Sequence, residues 1–338
     1  MRLDERTFEE FIADWLAAHG GYNAVKVGTS AERSKDFDPV RGLDTAELFA
    51  FIGATQPDEW EQLRKLHGGD EGEARNRFAD RLTREIDHRG TVDVLRHGVV
   101  DLGVHIRLAF FKPAHGLTPL LMERYAANRL TVTRQLPFDV ASTKTLDLGL
   151  FVNGLPVATA ELKNETTGQD IEFAKRQYRQ DRDPHNVTLG RRAIVHFAVD
   201  TQAVAMTTRL AGAGTRFLPF NKGNNGEPGN PANPDGHRTA YLWETVWQRD
   251  AWMDLVGRFV HEEKPPKGSK KASLMIFPRH HQWDAVLRLE AGALEEGPGH
   301  DYLVQHSAGS GKSNTIAWLA HRLSTLHAGD DKVFDKAS

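Results

Sequence analysis

The sequence predicts an α/β protein, a mixed β-sheet with flanking helices, followed by the beginning of a second α/β unit. Three observations carry this. Runs rich in β-branched and aromatic residues, with short Gly, Pro or Asn breaks, recur between residues 104 and 200. Apolar residues at helical spacing stand on either side of those runs. Near residue 309 a glycine-rich loop lies between an apolar run and a helical one.

Residues 7–19 place Phe8, Phe11, Ile12, Trp15 and Leu16 at helical spacing, and Gly20-Gly21 marks the stop. A second helical region spans about 58–88, interrupted at Gly68-Gly69, with the Glu, Arg and Lys content of a solvated face. Strands are expected over 104–111, 129–138, 145–154 and 155–164, and Asn153-Gly154 between the last two signals a hairpin turn. A helix from Ile171 to Asp181 and a strand over 191–200 follow, which suggests a mixed sheet with helices packed on it. Residues 221–237, NKGNNGEPGNPANPDGH, read as a long surface loop, and helical spacing returns over 243–260. The Pro, Gly and Lys content of 263–273 suits a linker. The expected division is therefore a first domain at 1–262, that linker, and the start of a second domain at 274–338.

Composition bounds the function. The 338 residues are 39% hydrophobic and 26% charged, with a net charge of -3, so charge alone neither demands nor excludes DNA. No run approaches the ~18 consecutive apolar residues of a membrane span, and the N-terminus carries acids where a signal peptide would be basic and then apolar. A cytoplasmic protein without a membrane partner is expected. With no cysteine, disulfides, thiolate chemistry and Cys-based zinc sites drop out, leaving carboxylates or His for any metal.

The hairpin carries the first chemistry. Asp147 lies on its first strand, and Glu161-Leu162-Lys163 on its second, where alternation places Glu161 and Lys163 on one face. Two carboxylates offer hard oxygen ligands for Mg2+, joined by the Leu162 carbonyl, and the lysine offsets charge near an attacking water and the developing phosphorane. On the following helix Lys175, Arg176 and Arg179 form a cationic stripe suited to a phosphate backbone.

These residues resemble the PD-(D/E)xK nucleases, with Leu146 at the position of the proline. The resemblance implies Asp147, Glu161 and Lys163 as catalytic residues, with Asp147, Glu161 and Leu162 as metal ligands. A related branch carries Gln-x-x-x-Tyr on the next helix. Here Asp181 stands at the tyrosine's distance and Tyr178 is adjacent, so Gln177 alone is carried over. Glu10 on the opening helix is the acid that this branch would bring to the same site.

The second chemistry is Gly309-Ser310-Gly311-Lys312-Ser313. An apolar run at 301–305 precedes it and a helical run at 314–323 follows, the context of a phosphate-binding loop. Backbone N–H groups would cradle the phosphates, Lys312 neutralise their oxygens and Ser313 ligate Mg2+. His306 replaces the first glycine of the strict pattern. Gln282, at the entrance to a helix, resembles the adenine-reading glutamine of superfamily 2 motors, with Arg279 in support.

The order of nuclease, linker and start of a RecA-like motor resembles the restriction and translocation subunit of type I restriction-modification enzymes. This resemblance implies cleavage of double-stranded DNA with Mg2+, ATP with Mg2+ at the motor, and methyltransferase and specificity subunits as partners. The chain is expected to stop inside the first motor lobe, and so to bind ATP weakly without hydrolysing it or translocating. Two rival readings are a degenerate nuclease domain that docks or binds DNA on a P-loop ATPase, and a stand-alone nuclease with a vestigial motor end.

Overall fold

The structure is a computed structural model that describes residues 5–28, 36–113, 118–164, 170–263, 265, 273–307, 309–329 and 331–334, with side chains from residue 8 onward. Helix α1 (Glu5–Ala18) buries Phe8, Ile12 and Leu16 at the expected spacing and begins slightly earlier than the sequence indicates. Strand β1 (Ala24–Val27) and the two-residue strands β2 (Phe37–Asp38) and β3 (Leu43–Asp44) follow. Helix α2 (Thr45–Thr55) is capped by Asp44, whose carboxylate accepts the Glu47 N–H at 3.1 Å.

The charged helical region divides where expected. Helix α3 (Pro57–Leu66) starts on a proline, and Gly68 and Gly69 take φ of 99° and 90°. Asp70 then caps α4 (Glu71–Arg89) through the Glu73 N–H at 2.7 Å. Helix α5 (Thr91–His97) leads to a small antiparallel ladder of β4 (Val99–Asp101) and β5 (Val104–Ile106).

The strand expected over 104–111 ends at Ile106. Beyond it, side-chain amides take the place of a neighbouring strand. Gln56 accepts the Arg107 N–H at 2.6 Å and donates to its carbonyl at 2.9 Å. Asn128 does the same for Phe110, at 3.1 and 2.6 Å. The backbone is satisfied without a ladder, so the apolar run stays irregular.

After α6 (Pro119–Ala126) come β6 (Leu130–Leu136), β7 (Leu146–Val152) and β8 (Leu155–Leu162), each antiparallel to the last. Helix α7 (Ile171–Gln180) and a π-helical turn at Thr188–Arg192 return the chain to β9 (Val195–Val199), which pairs parallel with β8. Strands β10 (Val204–Thr207) and β11 (Leu218–Pro219) complete one mixed seven-stranded sheet, in the order β1-β6-β7-β8-β9-β10-β11. Every residue of the central strand β8 is buried, because helices cover both faces.

The hairpin turn shows why Asn-Gly stands there. Asn153 and Gly154 both have positive φ, 50° and 82°. A Cβ on Gly154 would lie 2.2 Å from the Asp44 carbonyl oxygen. Asn153 is fully buried, its amide donating to the Leu108 carbonyl and to Asn128 Oδ1.

The stretch at 243–260 is helical but not one regular helix: α8 (Arg249–Asp254) is flanked by π-helical turns at Leu242–Val246 and Leu255–Phe259. Residues 264 and 266–272 of the expected linker lie outside the described residues; its flanks, β12 (His261–Glu263) and β13 (Leu274–Ile276), pair antiparallel. Helices α9 (His280–Glu296) and α10 (Lys312–Leu323) and a ladder of β14 (His327–Ala328) and β15 (Asp331–Lys332) close the described chain. Trp283 and Trp318 on these helices belong to the same apolar core as the sheet. Trp318 Nε1 donates to the Phe259 carbonyl at 2.8 Å, and Arg322 meets Asp254 at 2.7 Å.

The apolar run at 301–305 does not form the expected strand. Leu303 is 94% exposed, and among the described residues no strand lies beside it to complete a ladder.

Candidate active site

The β7–β8 register pairs Leu148 with Ala160, and one step further along both strands places Asp147 level with Glu161. The two acids and Lys163 share a sheet face, while Leu162 points into the main core, fully buried. The expected convergence of Asp147, Glu161 and Lys163 is therefore present. Asp147 Oδ2 accepts the Leu162 N–H at 2.7 Å, tying the first acid to the backbone of the second strand.

Glu161 is fully buried. Burial, and then the neighbouring Asp147 charge, push its carboxyl well above the ordinary range, opposed by Arg182 and Lys163. The Arg182 guanidinium contacts Glu161 Oε1 through two nitrogens, each at 2.7 Å. Removing one partner of so buried a pair costs roughly 3–5 kcal/mol, because the other charge is left uncompensated. Glu161 Oε2 has no hydrogen-bond partner.

Sequence reasoning missed Arg182, which sits in the turn after α7 and is 6% exposed. The one available signal was a basic residue just past a helix that had to pack on an acid-bearing strand. Tyr178 was also undervalued. Its hydroxyl lies 2.8 Å from Thr159 Oγ1, which in turn lies 2.7 Å from His196 Nδ1, all three beneath the site face of β8 and β9. Gln177, carried over by resemblance, has its Oε1 buried without a hydrogen-bond partner.

Glu10 does not turn toward this site: its carboxylate meets Arg134 at 2.6 Å on a half-exposed edge. Its neighbour Glu9 is the buried acid of α1, accepting from Gln135 Nε2 at 2.5 Å. Gln135 accepts from Thr145 Oγ1 at 2.6 Å, and the Thr145 carbonyl accepts from Arg182 at 2.8 Å. A chain of contacts thus runs from α1 to Glu161. Helical phase explains the exchange, since Glu9 follows Phe8 onto the buried side.

The cationic residues of α7 are engaged. Lys175 meets Glu172 at 2.6 Å, Arg179 donates to the Thr215 carbonyl at 3.2 Å, and Arg176 stacks 4.2 Å from the Phe173 ring centroid. Only Arg176 of the three is exposed.

For a divalent cation the donor set is two facing carboxylates, one with a buried orphan oxygen, which is the hard-oxygen chemistry of Mg2+. Among the described residues no third acid or histidine joins them. The Leu162 carbonyl, expected as a ligand, accepts from Lys163 Nζ at 2.9 Å. The two carboxylates fit such an ion, and the carbonyl is already engaged.

At the glycine loop, Gly309 and Gly311 take φ of 73° and 82°, and α10 begins at Lys312 with Gly311 as its cap. Lys312 and Ser313 are exposed, while Ser310 is 6% exposed with no partner for its Oγ. Ala308 lies outside the described residues. Gln282 stands against the loop, but its amide is used internally: Nε2 donates to the Gly311 carbonyl and Oε1 accepts the Arg279 N–H, both at 2.9 Å. Arg279, Gln282, Gly309, Ser310 and Gly311 line a cavity of about 490 Å³.

The comparison with protein families falls on the acidic site. Residues 104–215 match the family model of the type I restriction enzyme R protein N terminus. That span holds Asp147, Glu161, Lys163, α7 and Arg182, and supports an R-subunit N-terminal region there; the glycine loop lies outside it. A search of the curated proteins returns no match. No helix among the described residues is long and apolar enough to cross a membrane.

Proposed function

We propose that this chain is the nuclease-bearing part of the restriction and translocation subunit of a type I restriction enzyme, cutting double-stranded DNA at Asp147, Glu161 and Lys163. One observation carries the reading: opposed Asp147 and Glu161, with a buried orphan oxygen, lie inside the span similar to R protein N termini. Asp147 and Glu161 would hold Mg2+, which when bound polarises a phosphoryl oxygen and lowers the pKa of a bound water.

The chain's own groups do the rest. Lys163, anchored on the Leu162 carbonyl and 4% exposed, holds a positive charge beside the acids where a scissile phosphate would lie. The Asp147 bond to the Leu162 N–H fixes the spacing of the two strands' acids. Arg176, with Lys175 and Arg179, would meet the DNA backbone. In the full-length protein, ATP with Mg2+ would occupy Gly309–Ser313 beside Gln282, and methyltransferase and specificity subunits would supply recognition.

The rival reading, a degenerate nuclease domain that docks, is favoured by the internal satisfaction of Glu161 Oε1 and the Leu162 carbonyl. Supercoiled plasmid incubated with Mg2+ and the chain, alone and with its partner subunits and ATP, separates the two. The nuclease reading expects nicked or linear product that Asp147→Asn abolishes; product unchanged by that substitution would remove the site from the reaction.

A further inference from the structure

Arg182 does more at this site than neutralise an acid. Both of its contacts to Glu161 fall on one oxygen, Oε1, at 2.7 Å, leaving Oε2 alone. The same guanidinium is tied to the Thr145 carbonyl at 2.8 Å and lies 5.3 Å from the Phe138 ring centroid. Three segments therefore hold it: the turn after α7, the approach to β7 through Thr145, and β8 through Glu161. A planar fork pinned at so many points keeps the carboxylate in one orientation.

We propose that Arg182 is a positioning residue that restricts Glu161 to ligation through a single oxygen and so makes the site select a small octahedral cation over a larger one. The inference rests on the reading of Asp147 and Glu161 as a cation site. The selection follows from coordination chemistry. Mg2+ takes six ligands in a tight octahedron and is held through one or two carboxylates with water completing the shell. Ca2+ takes six to eight oxygens at longer distance and gains from carboxylates that offer both oxygens. With Oε1 accepting from Arg182 Nε and in ion-pair contact with Nη2, Glu161 cannot offer a second oxygen without disturbing a buried, charge-assisted contact. The larger ion bears that cost and the smaller one does not.

The test is calorimetric titration of Mn2+, standing in for Mg2+, and separately of Ca2+, into the wild-type chain and into Arg182→Met and Arg182→Lys. Circular dichroism checks that each is folded. In the wild type Mn2+ should bind about tenfold or more tighter than Ca2+, the scale on which groups supporting a metal ligand act. In Arg182→Met that ratio should shrink several-fold, chiefly because Ca2+ gains. Arg182→Lys, which keeps the charge but not the fork, should narrow it in the same direction, and decides the matter if the methionine variant does not fold.

A purely structural role would weaken both ions by the same factor and leave the ratio unchanged, and that result overturns the proposal while leaving the cation site standing. Absence of wild-type binding, or binding indifferent to Asp147→Ala, overturns the cation site and this inference with it.

Discussion

On the proposed nuclease reading, Lys163→Met is expected to lower DNA cleavage by about 10²–10³-fold while Mn2+ affinity stays within a few-fold of wild type, the range seen when one preorganised charge facing the transition state is removed. The lysine is 4% exposed, so methionine can fill the channel of its alkyl stem. The Leu162 carbonyl loses its Nζ donor, a loss of about 1 kcal/mol that should appear as a small drop in melting temperature. Cleavage kinetics and calorimetry on one preparation check the split. Undiminished cleavage would show that Lys163 does not act on the reacting phosphate. Collapse of metal binding would show instead that it organises the acids.

Acid should unfold the protein through two buried histidines. His196, fully enclosed between Thr159 and the core, and His280, among Phe220, Tyr241 and Trp283, are each pushed by burial from 6.5 down to about 4. Because both folded values are depressed, the unfolded chain takes up protons first as pH falls. Their stabilisation is complete above pH 6.5 and is lost progressively toward about pH 4. Each contributes up to roughly 3 kcal/mol at its limit, a large part of a typical folding free energy. Thermal melts between pH 7 and pH 4 should therefore show a steep decline that His280→Phe, which suits its aromatic surroundings, makes shallower. An equal slope in that variant would assign the acid sensitivity elsewhere.

Much of this architecture was legible because it depends on local pattern. The Asn153-Gly154 turn fixes the β7–β8 hairpin, and period-two alternation then forces Glu161 and Lys163 onto one face whatever surrounds them. The Gly68-Gly69 break is equally local. What escaped was decided at long range. Strand β1 is four residues long and exists because it can pair with β6, more than a hundred residues on. The run at 107–111 reads as strand until Gln56 and Asn128 satisfy its backbone. The run at 301–305 has a strand's composition but, among the described residues, no ladder.

The site shows the same division. Its acids were readable from spacing, but Arg182 was not, since nothing local in Gln180-Asp181-Arg182-Asp183 says which charge turns inward. Glu9 and Glu10 are adjacent acids on one helix, and only the packing of α1 against β6 chooses between them. Gln282 was read as an adenine-reading residue from resemblance, and the fold sets it beside the glycine loop with its amide spent on Gly311 and Arg279.

The central claim, that Asp147 and Glu161 form a divalent-cation site, is tested most directly by calorimetric titration of Mn2+ into the wild-type chain beside Asp147→Ala and Glu161→Ala. The account predicts binding in the wild type that either substitution abolishes, with both variants folded by circular dichroism. No binding by a folded wild-type chain, or binding that survives both substitutions, would contradict it and leave a domain that docks rather than cuts.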